Sequence, residues 1–234
     1  MEAQAIRRLA EVAVRLPTLE ETSRFLSETL EFGQITGSGG STGFFLPGEY
    51  GAPHPRRVLT LKPGEGPTLE ELVFEVSDAT ALKELAAALV ARGIDVTDVP
   101  EDEDGGAGIR LEDPLGISVV CRLDGGAPEG LPPSDVRPRR LGHANIKVPD
   151  AAEAAAFYVD VLGLRPTERV GDLLSFLRVN TDHHNLGFRS GADHAGIHHV
   201  AFEVKGWEDF RMLCDRLADR GYAVEYGPGR HGPG

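Results

Sequence analysis

An α+β fold of four βαβββ modules, paired into two similar domains that each carry a cupped mixed sheet with helices outside, is what this sequence predicts. Three observations predict it. The chain repeats itself at about half its length, each half runs twice through one order of elements, and a Gly/Pro-rich stretch separates the halves. The repeat comes first, because missing it would misassign every later element. A shift of 132 residues (139 − 7) lays Arg7 to Pro17 on Arg139 to Pro149 and carries Phe25 to Phe157 and Leu30 to Leu162. A shift of 128 (202 − 74) lays Phe74-Glu75-Val76 on Phe202-Glu203-Val204, Arg92-Gly93 on Arg220-Gly221, and Pro100 on Pro228.

Within each half, a short alternating strand leads to an amphipathic helix and then to turn-rich strand segments. The helix ends are readable. Asp150 is placed to cap the free N–H groups of a helix from Ala151 to Leu162, and Gly163 follows as its left-handed stop. The fourth module's helix runs from about Trp207 to Arg220 before Gly221, and its first-half counterpart from about Ala79 to Arg92 before Gly93. Ile109 to Val120 reads as a strand, an Asp-Pro-x-Gly turn and a closing strand. The segment from Asp124 to Pro133 is too rich in Gly and Pro for an element. The expected domains are therefore residues 1–123, a linker at 124–138, and residues 139–234. The second half ends six residues past Pro228 (234 − 228), so the repeat predicts that the last hairpin of the fourth module is missing from this sequence.

Composition narrows the function classes. The 234 residues hold 24 Lys+Arg against 37 Asp+Glu, a formal net charge of −13, with no basic run, so a nucleic-acid partner is not expected. With 41% hydrophobic residues the chain can bury one large core or two ordinary ones. Cys121 and Cys214 form no CxxC, which points away from a disulfide framework or a thiolate zinc site and toward a reducing cytoplasm. No signal peptide and no apolar run of about 18 residues is present, so no membrane association is expected.

Seven of the eight histidines lie in the second half. Residues two apart in a strand share a face, so His143, Asn145 and Lys147 point one way while Ala144, Ile146 and Val148 pack under the helix. His199 likewise shares a face with Ala201. A lone His on a sheet is more often a hydrogen-bonded structural residue than a ligand. His143 and His199, however, fall at the same strand position of two successive modules, where symmetry brings them together as two metal ligands would meet. The first half has Glu11 and Glu71 at those positions, with Val120 on the closing strand, and reads as a duplicate that keeps the fold without the site. His198 and His183 are expected to point away from their neighbours His199 and His184, while His194 and His54 are expected to be solvated.

At these residues the sequence resembles the type I extradiol ring-cleaving dioxygenases of the vicinal oxygen chelate superfamily, which includes the glyoxalase and bleomycin-resistance proteins. The segments that carry the resemblance are Leu141 to Asp150, Asp182 to Phe188, Ile197 to Val204 and Gly227 to Gly232. It implies a catechol-type substrate, O2, and a mononuclear Fe(II), occasionally Mn(II), held by two histidines and one carboxylate. His143 and His199 match the histidine ligands, and the third ligand, a Glu, is expected beyond the end of this chain. His184 matches the base that deprotonates the diol and later returns a proton, on the way to a hydroxymuconic semialdehyde-type product. His231 matches a hydrogen-bond donor to substrate or oxygen, and Asn145 and Phe176 are expected to line the pocket. The resemblance also implies a homo-oligomer. The alternative reading is a metal-free or inactive small-molecule-binding member of the same superfamily.

Overall fold

Alternating apolar and polar residues in Ile6–Leu16 form strand β1, and each later stretch of that pattern forms a strand in turn. The structure is a computed structural model that describes residues 5–48, 55–101, 105–125, 134 and 136–229. After β1 come helix α1 (Leu19–Arg24), which runs on into a wider π-type turn at Phe25–Thr29, then β2 (Gly33–Thr36), β3 (Thr42–Leu46) and β4 (Arg56–Pro63). The second module is β5 (Thr68–Val76), α2 (Ala79–Ala91), β6 (Thr97–Val99), β7 (Gly108–Glu112) and β8 (Ser118–Arg122). The third is β9 (Arg140–Val148), α3 (Ala151–Asp160), β10 (Arg165–Val170), β11 (Leu174–Arg178) and β12 (Leu186–Ser190). A fourth begins with β13 (Gly196–Glu203) and α4 (Trp207–Asp219). The predicted βαβββ order thus holds for three modules and opens the fourth.

The helix ends follow the predicted chemistry. The Asp150 carboxylate accepts from the N–H groups of Ala152 at 2.8 Å and Glu153 at 3.0 Å, and Asp78 does the same for α2 through Thr80 and Ala81. These bonds hold both carboxyls below the usual value of 3.8. Gly163 stops α3 at φ 73°, a left-handed conformation that a β-carbon would strain.

The strands assemble into an eight-stranded sheet of order β2-β3-β4-β1-β5-β8-β7-β6 and a five-stranded sheet of order β10-β11-β12-β9-β13. The centre of each sheet is built alike: β1 lies parallel to β4 and antiparallel to β5, as β9 lies parallel to β12 and antiparallel to β13. Even the register repeats. Glu11 pairs with Val73 and Ala13 with Glu71, where the second half pairs His143 with Ala201 and Asn145 with His199.

One hydrophobic cluster runs through both halves, from Leu9, Val12 and Phe74 to Ile146, Tyr158 and Phe188. Tyr158 of α3, fully buried, donates its hydroxyl to Asp113 Oδ2 in the β7–β8 turn at 2.8 Å. Burial pushes the Asp113 carboxyl up, against the pull of the Ile117 N–H, the Tyr158 hydroxyl and the Leu115 N–H. Burial, together with that carboxylate, pushes the Tyr158 hydroxyl well up as well. Phe32 and Phe202 meet edge to face at 5.0 Å between ring centroids, and Arg216 of α4 donates to the Val136 carbonyl at 2.9 Å and pairs with Glu31 at 3.1 Å. Among the described residues no helix is long and apolar enough to cross a membrane.

Tyr158→Phe removes one donor from a buried carboxylate and leaves the ring packing intact. It is expected to lower stability by about 1–3 kcal/mol, read from the urea midpoint at unchanged slope.

Candidate metal centre

Period-two alternation along β9 sends His143, Asn145 and Lys147 to the face opposite α3, while Ala144, Ile146 and Val148 are fully buried beneath the helix. The register then extends that face across the sheet. Phe176 on β11 pairs with Gly187 on β12, Gly187 with Asn145, and Asn145 with His199 on β13, so these four residues form one row. His143 stands in the next row, opposite Ala201.

From those adjacent rows the two predicted ligands converge. His143 Nε2 lies 2.9 Å from His199 Nε2, with the rings 5.1 Å apart and nearly perpendicular. Imidazole nitrogens at neighbouring positions around one ion, each about 2.1 Å from it, stand about 3.0 Å apart, so the pair fits a divalent metal of the octahedral class. Among the described residues no group of three or more His, Cys, Asp or Glu side chains is arranged to hold an ion.

His184 and Phe176 complete the wall. The His184 ring lies 4.1 Å from His143 and 4.6 Å from Phe176, between centroids. His184 sits in an irregular connection, and the structure shows what holds it there. Arg140 grips Asp182 with two bonds, 2.8 and 2.9 Å, and Asn185 donates to Asp182 at 3.1 Å while accepting from the Val179 N–H at 2.9 Å. The Asn185 carbonyl also accepts from the Ala144 N–H of β9 at 3.0 Å. Burial raises the Asp182 carboxyl, but the Arg140 bonds and charge outweigh it and hold the group below 3.8. The sequence reading missed these three positioning residues, although Asp182 and Asn185 flank the His183-His184 pair it singled out.

Two expectations about neighbours are corrected. His183 does not point away from His184: their Nδ1 atoms are 2.9 Å apart, and His183 Nε2 reaches Glu168 at 3.2 Å. The alternation rule fails because the segment is a turn rather than a strand. His198 likewise lies with His199, Nδ1 to Nδ1 at 2.7 Å, because a bulge between Ile197 and His199 sets two residues against one on β9. Burial and the charges of Arg189 and Lys147 push the His198 imidazole below 6.5. His194 falls in an exposed loop, as expected. His231 and His54 lie outside the described residues.

Asn145 is 6% exposed, and its side-chain oxygen is buried without a hydrogen-bond partner. A β-carbon on Gly187 would stand 2.6 Å from the Asn145 amide nitrogen and 3.2 Å from the Phe176 ring. The missing side chain at Gly187 is therefore what makes room for the Asn145 amide beside Phe176.

On the equivalent face of the first half the two carboxylates are paired within the sheet. Glu11 accepts from Arg57 at 2.9 Å and from Thr60 at 2.5 Å, and Glu71 from Ser118 at 2.8 Å and Arg110 at 3.1 Å. Val120 is buried against Val73.

Residues 140–234 match the family described as the Glyoxalase/Bleomycin resistance protein/Dioxygenase superfamily. Metapyrocatechase 2 of Cupriavidus necator is 36% identical over 121 residues, 47% of this chain and 37% of that protein. The biphenyl-2,3-diol 1,2-dioxygenase of Paraburkholderia xenovorans is 30% identical over 68% of this chain and 60% of its own length. This chain thus spans less than two thirds of these relatives. The crystal structure of the 2,3-dioxygenase LapB from Pseudomonas sp. KL28 superposes with a TM-score of 0.82 over 98% of this chain and 86% of that one, at 23% identity, which shows a shared fold.

Gly187→Ala is expected to displace the Asn145 amide and cost about 1–3 kcal/mol, visible as a lower urea midpoint. The Arg140–Asp182 pair supplies stability that is fully present above pH 3.8 and lost as pH falls through the lower folded value. Asp182→Asn should therefore flatten the acid limb of the unfolding curve, measured by circular dichroism against pH.

Proposed function

We propose that this chain, whose residues 140–234 match the Glyoxalase/Bleomycin resistance protein/Dioxygenase superfamily and which is similar to a metapyrocatechase and a biphenyl-2,3-diol 1,2-dioxygenase, is an extradiol dioxygenase acting on a catechol-type diol with O2. The single observation that carries this reading is the convergence of His143 and His199 at 2.9 Å beside His184.

In this reading His143 and His199 are two ligands of a divalent ion, iron(II) or manganese(II), and no residue of this chain is assigned as the third. An ion held by these two imidazoles would supply Lewis-acid activation of the diol and of O2. The protein's own residues do the rest. His184 is the base that takes a hydroxyl proton as the diol binds and the acid that returns it when the ring opens. Its position against the His143 ring puts that proton transfer at the edge of the ligand pair. Phe176 packs on the face of the substrate ring, and Asn145, seated over Gly187, lines the pocket beside it. His231 is the second donor in this reading, and a hydroxymuconic semialdehyde-type compound is the product.

Residues 1–123 are, in the same proposal, the non-catalytic duplicate joined through the linker at 124–138 to the catalytic unit 139–234. Cytoplasmic location and homo-oligomeric assembly belong to this proposal too.

His184→Ala is expected to keep the metal and lose most ring opening, whereas His143→Ala loses the metal. Metal content by mass spectrometry, alongside the absorbance of the ring-opened product, separates the two. Full turnover by metal-loaded His184→Ala would remove the imidazole from the chemistry.

A further inference from the structure

One step along the sheet from the candidate centre, the same face carries positive charge. Lys147 follows Asn145 by two residues on β9, and Arg189 follows Gly187 by two on β12. The two pair in register. Arg189 reaches across β9 to the bulged His198, Nη1 to Nε2 at 3.4 Å. All three side chains are exposed, and among the described residues neither Lys147 nor Arg189 forms an ion pair. In a chain of net charge −13, two neighbouring cations without a carboxylate are out of pattern.

The first half shows what is missing. The repeat places Arg15 at the position of Lys147 and Lys62 at that of Arg189, and these two also pair in register. There both cations share one carboxylate: Glu70 accepts from Arg15 at 3.1 Å and from Lys62 at 2.9 Å. Glu70 occupies the bulge of β5, between the pairs Ala13–Glu71 and Val14–Leu69, and the shift of 128 (198 − 70) carries it onto His198. The duplicate therefore keeps an internal counter-charge where the second half puts an imidazole. That imidazole contacts Arg189 at the place where the first half sets its carboxylate.

We propose that Lys147 and Arg189 form a subsite for a carboxylate substituent on the diol ring, the substrate's carboxylate taking the place that Glu70 holds in the first half. Lys147 lies about 7 Å along the strand from Asn145, a separation of the order of an aromatic ring with a short substituent. A ring whose hydroxyls face His143 and His199 thus directs its far side toward the cations. His198 contacts the Arg189 guanidinium and offers no carboxylate to it. This inference rests on the dioxygenase reading for the orientation of the ring, and goes beyond it in naming the substrate class as anionic catechols.

The test compares protocatechuate, which carries a ring carboxylate, with neutral methylcatechol. Binding to the purified protein is measured anaerobically by calorimetry at low and at high ionic strength, in the wild type, His198→Glu and Arg189→Gln. The wild type is expected to bind protocatechuate roughly tenfold more tightly at low ionic strength, with the gap closing as salt rises. His198→Glu restores the internal counter-charge and should erase the gap, as should Arg189→Gln. Both positions are exposed, and circular dichroism confirms folding. Equal affinity for the two diols in the wild type, or a preference that survives both substitutions, would overturn the subsite. Ring opening of methylcatechol by the metal-loaded protein reads the dioxygenase proposal separately. Cleavage without a charge preference rejects the subsite alone, and a salt-sensitive preference without cleavage upholds the subsite and rejects the reaction.

Discussion

The register of β9 between β12 and β13 is the constraint on which the candidate centre rests. A parallel neighbour on one side and an antiparallel one on the other hold Phe176, Gly187, Asn145 and His199 in a single row. A slip of one residue in β9 would turn His143 and Asn145 to the helix side, where Ala144, Ile146 and Val148 now fill the core. The buried half of the strand therefore fixes the polar half: the hydrophobic cost of misplacing three core residues secures the positions of His143 and His199.

The two halves place different chemistry on one frame. Where the second half aims imidazoles at each other, the first half sets carboxylates among arginines and hydroxyls, each satisfied within the sheet. Parting Glu11 from Arg57 and Thr60 would leave a charge uncompensated in a buried position. The same frame thus holds paired carboxylates in one half and facing imidazoles in the other.

Much of this was legible from the residues. The repeat, the capped helices and the meeting of His143 with His199 all follow from period and symmetry, because those features depend on local pattern and on pairing that recurs. What escaped was irregular. The bulge at His198 and the turn at His183 break the alternation used to assign their faces, and nothing in the neighbouring residues announces a one-residue offset. The Arg140–Asp182–Asn185 brace and the Tyr158–Asp113 bond join positions far apart in sequence, so no window of residues contains both partners. The first-half equivalence of Glu70 and His198 was visible in the repeat, but its meaning depends on the cations that the register gathers around each.

The continuous core and the buried Tyr158 hydroxyl have a consequence for how the molecule opens. With α3 of one half anchored to the β7–β8 turn of the other, neither sheet can separate from its helices without uncovering apolar surface that both share. Fluctuations large enough to expose β9 must also expose β1, which places the two central strands in one cooperative unit. Slowly exchanging backbone amides should then cluster in β1 and β9 together, and protection at the candidate centre is set as much by the first half of the chain as by its own strands.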